Sequence, residues 1–315
     1  MSVPQPVLEI AGLRKSYKGH LSIGRREVIK GLDLTIQPGE VFGLLGQNGS
    51  GKTTTLKMIL SLIFPDAGRI SLFGTDYRSV AHRHRIGFLP ENPWFYEYLT
   101  GREFLDFYGQ LFGYGRAERS ARAEAVLARV GMSDRAGLPL RKYSKGMLQR
   151  IGMAQALIND PEFVILDEPM SGLDPIGRRE FRDIILDLKR RGRTIFFSSH
   201  ILSDAEAICD RVGILKDGRI GVEGRLADLL SPAVRSWEVM YAGPPFAQLM
   251  SVAAGGDGGC QLLSDRGPES LVAVHDEKVL SKLLDSIRTQ GGRLISVSAR
   301  RETLEDLYVK EVSGR

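Results

Sequence analysis

The sequence has few cysteines and no long apolar run. Cys209 and Cys260 are its only cysteines, and neither is part of a metal-ligand spacing. Two distant cysteines do not make the disulfide framework of a secreted domain and are typical of reduced thiols in a cytosolic protein. No apolar stretch approaches the roughly 18 residues that a membrane-spanning helix needs, and the first ten residues lack the pattern of a signal peptide. We therefore expect that this chain does not cross a membrane by itself.

A strong excess of either charge is also missing. Lys and Arg together number 43 against 38 for Asp and Glu, which leaves a net charge of +5 over 315 residues. A dedicated nucleic-acid-binding protein usually carries a denser basic face, so no direct contact with nucleic acid is expected. The small basic excess lies before residue 230 and is compatible with an anionic ligand or a membrane surface.

What the sequence does contain is a complete phosphate-binding motif. Residues 46–53 match G-x-x-x-x-G-K-T, between an apolar run at 41–45 and helical apolar spacing over 53–63, which predict a strand and a helix. Glycines let the backbone approach phosphates, Lys52 adds a positive charge, and Thr53 offers a hydroxyl to magnesium. The residues predicted to contact the nucleotide are Gly46, Gln47, Asn48, Gly49, Ser50, Gly51, Lys52, Thr53 and Thr54.

Two carboxylates and a histidine follow later strands. The apolar run 163–166 predicts a buried strand that ends at Asp167 and Glu168, the edge where an α/β sheet presents ligand groups. Asp167 is predicted to hold magnesium and Glu168 to activate water for attack on a γ-phosphate. His200 follows the next predicted strand, 194–199. A lone histidine there is often a packing or capping residue. His200, however, follows the next strand along the chain after the one that ends at Asp167 and Glu168, which favours a catalytic role.

The order of predicted elements indicates an α/β fold. Strands and helices alternate up to about residue 230, which favours a parallel sheet covered by helices, with a helical insert at about 92–160. The pattern changes after Pro232. We expect one domain over 1–232 and a small α+β domain over 233–315, in which strand, helix, strand and helix are predicted between 271 and 312.

These motifs, in this order, resemble the ATP-binding cassette of ABC transporters over about residues 7–230. Residues 143–147 read Tyr-Ser-Lys-Gly-Met at the place of the family signature, and residues 171–174 match the family's D-loop. The resemblance implies an ATPase with an ABC-type core, ATP and Mg²⁺ as cofactors, and Lys52, Glu168 and His200 as catalytic residues. It further implies nucleotide contacts from four residues outside the phosphate loop: Tyr17 against adenine, Ser144 and Gly146 of the signature, and Asp174 of the D-loop.

In this family the signature completes the nucleotide site of the opposite subunit. One chain carries one phosphate loop and one signature, so the resemblance implies a dimer that ATP closes. Two identical chains are the economical arrangement, and a second, different cassette is the alternative.

The sequence departs from the commonest family pattern at three positions. Lys145 replaces the first signature glycine, Met147 replaces its glutamine, and Glu91 stands where most members carry a glutamine that contacts magnesium. Glu91 is expected to reach the metal through water. These variants, and the tail at 304–308, resemble a subgroup of bacterial exporters whose membrane domain is a separate chain.

The resemblance also implies partners and a location. The aromatic segment from Trp94 to Tyr98 is expected to dock an integral-membrane permease, whereas Phe104, Phe107 and Phe112 are expected to pack inside the helical insert. The cassette would lie on the cytoplasmic face of the inner membrane as a peripheral subunit. An alternative class is a soluble single-cassette ATPase that acts on the ribosome or on nucleic acid.

Overall fold

The computed structural model describes residues 5–18, 24–231, 233–253, 259–267 and 269–313. The chain divides into two compact units, one formed by 1–226 with 308–315 and one by 227–307. The domain boundary expected between residues 232 and 233 stays a prediction.

Strands and helices alternate through most of the first unit. The strands of the described chain are β1 (Leu8–Lys18), β2 (Arg25–Ile36), β3 (Val41–Leu45), β4 (Ala67–Leu72), β5 (Thr75–Asp76), β6 (Ile86–Leu89), β7 (Phe163–Asp167), β8 (Thr194–Ser199), β9 (Arg211–Lys216), β10 (Arg219–Arg225), β11 (Val234–Ala242), β12 (Cys260–Arg266), β13 (Glu269–Val274) and β14 (Arg293–Arg301). The α-helices are α1 (Lys52–Ile59), α2 (Gly101–Leu111), α3 (Arg116–Arg129), α4 (Lys145–Leu157), α5 (Pro175–Arg190), α6 (Leu202–Ile208), α7 (Leu226–Leu229), α8 (Phe246–Ala253), α9 (Glu277–Thr289) and α10 (Leu304–Ser313).

The central sheet of the first unit has the order β10-β9-β3-β8-β7-β6. Its strands run parallel except for β10, which pairs antiparallel with β9. Every residue of β3, β7 and β8 is buried, which explains why these strands contain continuous apolar runs, at 41–45, 163–166 and 195–197, rather than alternating patterns. Parallel strands end at the same edge of a sheet. This edge therefore carries the phosphate loop after β3, the two carboxylates at the end of β7, and His200 after β8.

A second, antiparallel sheet with the order β2-β1-β4-β5 packs against the first. One apolar cluster joins the two sheets through α1. It includes Leu13 and Leu32 of the antiparallel sheet, Leu56 of α1, and Phe163 and Phe196 of the central sheet. The phosphate-loop helix is thereby anchored between both sheets, so burial of apolar surface holds its N-terminus in place.

The helical insert is built from α2, α3 and α4. Thr100 caps α2 in a capping box with Glu103, and Arg119 Nε of α3 donates to Asp106 Oδ1 of α2 at 2.8 Å. Phe104 is buried, as expected, and Phe107 and Phe112 are half-buried.

The second unit contains a four-stranded antiparallel sheet with the order β12-β13-β11-β14. Val239 and Tyr241 of β11 form its core with Leu249 of α8 and with Leu283 and Ile287 of α9. Among the described helices of the whole chain, none combines the length and the apolar character that crossing a bilayer demands.

The structure differs from the sequence-based expectations in one helix end and in one segment. Helix α1 ends at Ile59 rather than Ile63, because Ser61 adopts a left-handed φ of 57° and the N–H of Leu62 turns back to the carbonyl of Lys57. The segment 233–267, for which no element was predicted, contains β11, α8 and β12 around the undescribed residues 254–258. The alternation of Trp237, Val239 and Tyr241 was the available signal for β11.

Candidate functional site

The phosphate loop joins β3 to α1. Gly49 and Gly51 have φ values of 84° and 115°, a region that only glycine adopts without strain. Lys52 is 5% exposed, and its Nζ donates to the carbonyls of Gly46 at 2.7 Å and Gln47 at 3.2 Å. The loop carbonyls therefore orient the ammonium group before any phosphate binds.

The hydroxyl of Ser50 lies inside the same loop. Its Oγ is buried, and no described atom forms a hydrogen bond with it. A buried hydroxyl without a partner is costly unless a ligand supplies one. A phosphate oxygen is a suitable acceptor, so the loop fits the phosphate group that its sequence predicts. Asn48 and Thr54 lie beside these residues, in the loop and in the first turn of α1 respectively.

Asp167 ends β7 directly beneath this loop. Its Oδ1 accepts hydrogen bonds from Ser198 Oγ at 2.6 Å and from Thr53 Oγ1 at 3.2 Å. Burial raises the pKa of Asp167, while these two hydroxyl groups act in the opposite direction. A carboxylate whose charged form is penalised by burial gains from a bound cation.

The pair Thr53 and Asp167 fits one edge of a magnesium coordination shell. Neighbouring ligands of octahedral Mg²⁺ lie about 3 Å apart, since each is about 2.0–2.1 Å from the metal, and the two oxygens are 3.2 Å apart. In the described part of the chain no three His, Cys, Asp or Glu side chains cluster as metal ligands. The other ligands of a bound Mg²⁺ would therefore be water and phosphate oxygens.

Glu91 is exposed and lines a groove with Trp94, Phe95 and Tyr143. Its predicted contact with magnesium stays a prediction.

Two side chains hold the carboxylate of Glu168, and a third holds its backbone. Its Oε1 lies 3.2 Å from Lys52 Nζ, and its Oε2 lies 2.8 Å from His200 Nδ1. The Glu168 N–H donates to Ser198 Oγ at 3.0 Å. Glu168 also has a left-handed φ of 47°, a strain of about 1–3 kcal/mol for a residue other than glycine. Such strain persists only where the surroundings determine the conformation, so the carboxylate is pre-positioned at the sheet edge.

Ser198 was missing from the predicted site. Its hydroxyl accepts from the N–H of Glu168 and donates to Asp167, so one side chain fixes both carboxylate residues. Ser198 is fully buried on β8. The available signal was a hydroxyl residue directly after the apolar run 195–197 of a buried strand, where a polar group needs a partner.

Replacing Ser198 by Ala is expected to lower the free energy of unfolding by about 1.5–3 kcal/mol, because a hydrogen bond to a carboxylate is lost and a buried N–H is left unpaired. Loss of the same hydroxyl raises the pKa of Asp167 further. The Mg²⁺ concentration for half-maximal ATPase activity should then rise, and more at the lower of two pH values, because protonation of Asp167 opposes cation binding. Chemical unfolding and Mg²⁺ titrations at two pH values measure both effects.

Ser199→Ala is the matched control, because the described hydrogen bonds of the Ser199 hydroxyl stay within its own turn, to the backbone of Ile201. An unchanged Mg²⁺ requirement in Ser198→Ala, at both pH values, would contradict the assigned role.

A cavity of about 310 Å³ lies beside the phosphate loop. Arg26, Val28, Lys30 and residues 47–50 contribute to its lining. Tyr17 does not; it pairs with Arg26 in the β1–β2 ladder, and the Lys15 ammonium lies 5.7 Å from its ring centroid. Arg26 and Lys30 were not predicted, because the sequence of an isolated basic residue on a strand does not distinguish it from a solvated surface charge.

The signature begins α4. Ser144 is the N-cap residue, and its Oγ accepts from the N–H of Met147 at 3.3 Å. Gly146 follows in the first turn, and neither Ser144 nor Gly146 lines the cavity beside the phosphate loop. Gln149 of the same helix donates from Nε2 to the carbonyl of Pro169 at 2.8 Å. This buried contact, which sequence reasoning did not identify, ties the signature helix to the turn after Glu168.

The D-loop leads into α5. Asp174 caps that helix, and its Oδ1 accepts from the N–H of Gly177 at 2.7 Å. Gly172 has a φ of 68°, and the side chain of Lys145 lies over it, so that a Cβ at this position would meet Lys145 Nζ at 2.0 Å. The lysine that departs from the common signature thus packs against the D-loop of its own chain.

The site therefore combines a loop that fits phosphate, two oxygens that fit Mg²⁺ and a fixed carboxylate next to a histidine. These are the parts that hydrolysis of a nucleoside triphosphate requires, since catalysis there is mostly positioning and charge stabilisation. The class defined by fold and site is a P-loop nucleoside triphosphatase.

Comparisons with known proteins give the family. A family model described as ABC transporter matches residues 29–171. An uncharacterized ABC transporter ATP-binding protein of Synechocystis is 43% identical over 312 residues, which cover 98% of this chain and 85% of that protein. A fluoroquinolones export ATP-binding protein of Mycobacterium tuberculosis is 36% identical over 295 residues, which cover 91% of this chain and 88% of the relative.

Solved structures agree with this result. A dimeric ATP-binding cassette bound to ADP and Pi in a post-hydrolysis state is 25% identical, with a TM-score of 0.64, and the match covers 70% of this chain and 98% of that one. This chain belongs to the family of ABC transporter ATP-binding proteins and is an ATPase of that type.

Proposed function

We propose that this chain is the energy-coupling subunit of a membrane exporter, and that two copies close on ATP and Mg²⁺. The observation that carries the proposal is that the chain holds one phosphate loop, between β3 and α1, and one signature, which begins α4 of the helical insert with Ser144 as its N-cap. In this family the signature completes the nucleotide site of the opposite subunit, so two copies would complete two sites. The dimeric state of the cassette of similar fold supports this arrangement.

Export as the direction of transport rests on relatives. The Mycobacterium tuberculosis protein that matches nine-tenths of this chain is named for export of fluoroquinolones. The signature variant with Lys145 and Met147 supports the same subgroup. In this proposal ATP binding closes the two cassettes, closure moves the membrane subunits, and hydrolysis reopens the cassettes.

A groove on the helical insert is the proposed docking surface for the permease. It measures about 510 Å³, and its lining includes Glu91, Trp94, Phe95 and Tyr143. Trp94 is 92% exposed, and Tyr98 lies close by in sequence at 71%. Exposed aromatic residues beside a groove are typical of protein interfaces. Docked there, the cassette would be a peripheral protein on the cytoplasmic face of the cell membrane.

The docking proposal predicts that Trp94→Ala loses the membrane partner but keeps ATP hydrolysis by the isolated chain. Truncation of a central aromatic residue costs an interface about 2 kcal/mol or more, which corresponds to a roughly 30-fold weaker complex. The measurement is co-purification of the tagged chain with a polytopic protein from detergent-solubilised membranes, together with the ATPase rate without membranes.

Phe64→Ala is the control, since Phe64 is an aromatic residue of the same unit that is 61% exposed but does not line the groove. Full retention of the partner by Trp94→Ala would refute docking at this groove. Recovery of ribosomes or nucleic acid instead of a membrane protein would favour the soluble-ATPase alternative.

A further inference from the structure

Asp204 is a buried carboxylate that the site described above does not use. It lies in the first turn of α6, four residues after His200, and is 4% exposed. No described atom forms a hydrogen bond with its Oδ2. Burial raises the pKa of Asp204. A buried carboxylate oxygen without a hydrogen bond is costly to keep, so its presence calls for a reason.

The nearest cation is Arg178 on α5. Its Nη1 lies 3.8 Å from Asp204 Oδ2, which is longer than a hydrogen bond. The same guanidinium donates from Nε to the carbonyl of Leu173 at 3.3 Å. Leu173 belongs to the D-loop, so one planar side chain spans from the D-loop to the helix that follows His200.

These contacts belong to a ring that returns to Glu168. The N–H of Ser171 in the D-loop donates to the carbonyl of Glu168 at 3.1 Å. On the other side, His200 Nδ1 lies 2.8 Å from Glu168 Oε2. The ring therefore runs from Glu168 through the D-loop, Arg178, Asp204 and α6 to His200, and closes again on Glu168.

We propose that Arg178 and Asp204 are positioning residues that transmit the conformation of the D-loop to the His200–Glu168 pair. The inference rests on the proposed roles of those two residues and on closure of two cassettes. At 3.8 Å the ion pair is loose, and a small shift of the D-loop brings Arg178 into hydrogen-bonding distance of Asp204. That contact holds the start of α6, and with it His200, in one orientation against Glu168.

The test compares Arg178→Met, Asp204→Asn and the double variant with the parent protein. The kcat for ATP hydrolysis is expected to fall roughly 3- to 30-fold in each single variant, the range found for residues that couple sites without touching ligand. The ATP dissociation constant should stay within about twofold, because neither side chain contacts the phosphate loop. The double variant should be no slower than the slower single variant, since both break the same link.

Arg178→Lys separates positioning from charge compensation. Lysine keeps a positive charge near Asp204 but lacks the planar fork that also reaches the Leu173 carbonyl. The lysine variant should recover the unfolding free energy lost in Arg178→Met, yet remain slow. Arg179→Met is the matched control, because Arg179 is exposed on the same helix and no ion pair or hydrogen bond of its side chain is described.

An unchanged kcat in Arg178→Met, multiplicative losses in the double variant, or full recovery of the rate by Arg178→Lys would each overturn the proposal. If Asp204→Asn fails to fold, the Arg178→Met and Arg178→Lys variants decide the question, because Arg178 is partly exposed and its replacement is better tolerated. Normal hydrolysis by Glu168→Gln would instead refute the proposed role of Glu168. If the Glu168→Gln variant stays monomeric in the presence of ATP, cassette closure would be refuted.

Discussion

Lys52→Ala is expected to abolish ATP binding at concentrations that saturate the wild-type protein. Removal of one partner of a buried, hydrogen-bonded charge pair costs about 2–5 kcal/mol, and each 1.4 kcal/mol is a tenfold change in the dissociation constant. The structure supports the upper part of this range, because the carbonyls of Gly46 and Gln47 already orient the ammonium group. Isothermal titration calorimetry with ATP and Mg²⁺ measures the loss.

The same substitution leaves Glu168 without its lysine partner at 3.2 Å. The apo protein should therefore also lose stability, since a buried charge becomes uncompensated. Lys57→Ala is the control, because Lys57 lies on the exposed side of the same helix. An ATP dissociation constant for Lys52→Ala equal to that of the wild type would refute the assignment of the loop.

Glu168→Gln is expected to lower kcat by about 10²- to 10⁴-fold, the usual contribution of a general base. Glutamine keeps the size of the side chain and can still accept hydrogen bonds from Lys52 and His200, but it does not take a proton from water. ATP binding should therefore be retained. With hydrolysis blocked, ATP should hold two chains together, whereas ADP should not.

Light scattering after size-exclusion chromatography, with ATP or with ADP, measures the dimer, and phosphate release measures kcat. Glu162→Gln is the matched control, since Glu162 immediately precedes the same strand but forms an exposed pair with Arg85. Wild-type turnover in Glu168→Gln would exclude Glu168 as the base. If Glu168→Gln loses turnover but ATP does not hold two chains together, the assignment of Glu168 as the base stands and cassette closure is contradicted.

Much of the first unit was predictable because its information is local. A glycine-rich octet between an apolar strand and an amphipathic helix has few structural solutions, so residues 46–53 identify a phosphate site without a structure. The buried strands β3, β7 and β8 appeared as apolar runs because both of their faces are covered. The antiparallel sheet of β1, β2, β4 and β5 was not foreseen, since pairing between distant segments leaves no local pattern.

The second unit shows where local patterns mislead. The glycine-rich stretch 255–259 obscured the elements on either side of it, α8 and β12. Strand β11 was also missed, although it carries a period-two alternation whose buried face includes Val239 and Tyr241. Near the end of the chain, helix α10 starts at Leu304 in the second unit, yet its residues from Tyr308 to Ser313 belong to the first unit. Sequence order alone does not determine such grouping, because packing between segments far apart in the chain decides it.

The sequence by itself determined the chemistry of this protein: a phosphate loop, a carboxylate pair, a signature and a histidine, in an order that identifies the family. Only the tertiary structure decided which groups touch. Ser198 holds both Asp167 and Glu168, Glu91 lies in the groove with Trp94, and Arg178 faces a buried Asp204. The physical reason is that hydrogen bonds and ion pairs act over about 3–4 Å, and only the packing of sheets and helices brings residues as distant in the chain as Asp167 and Ser198 within that distance.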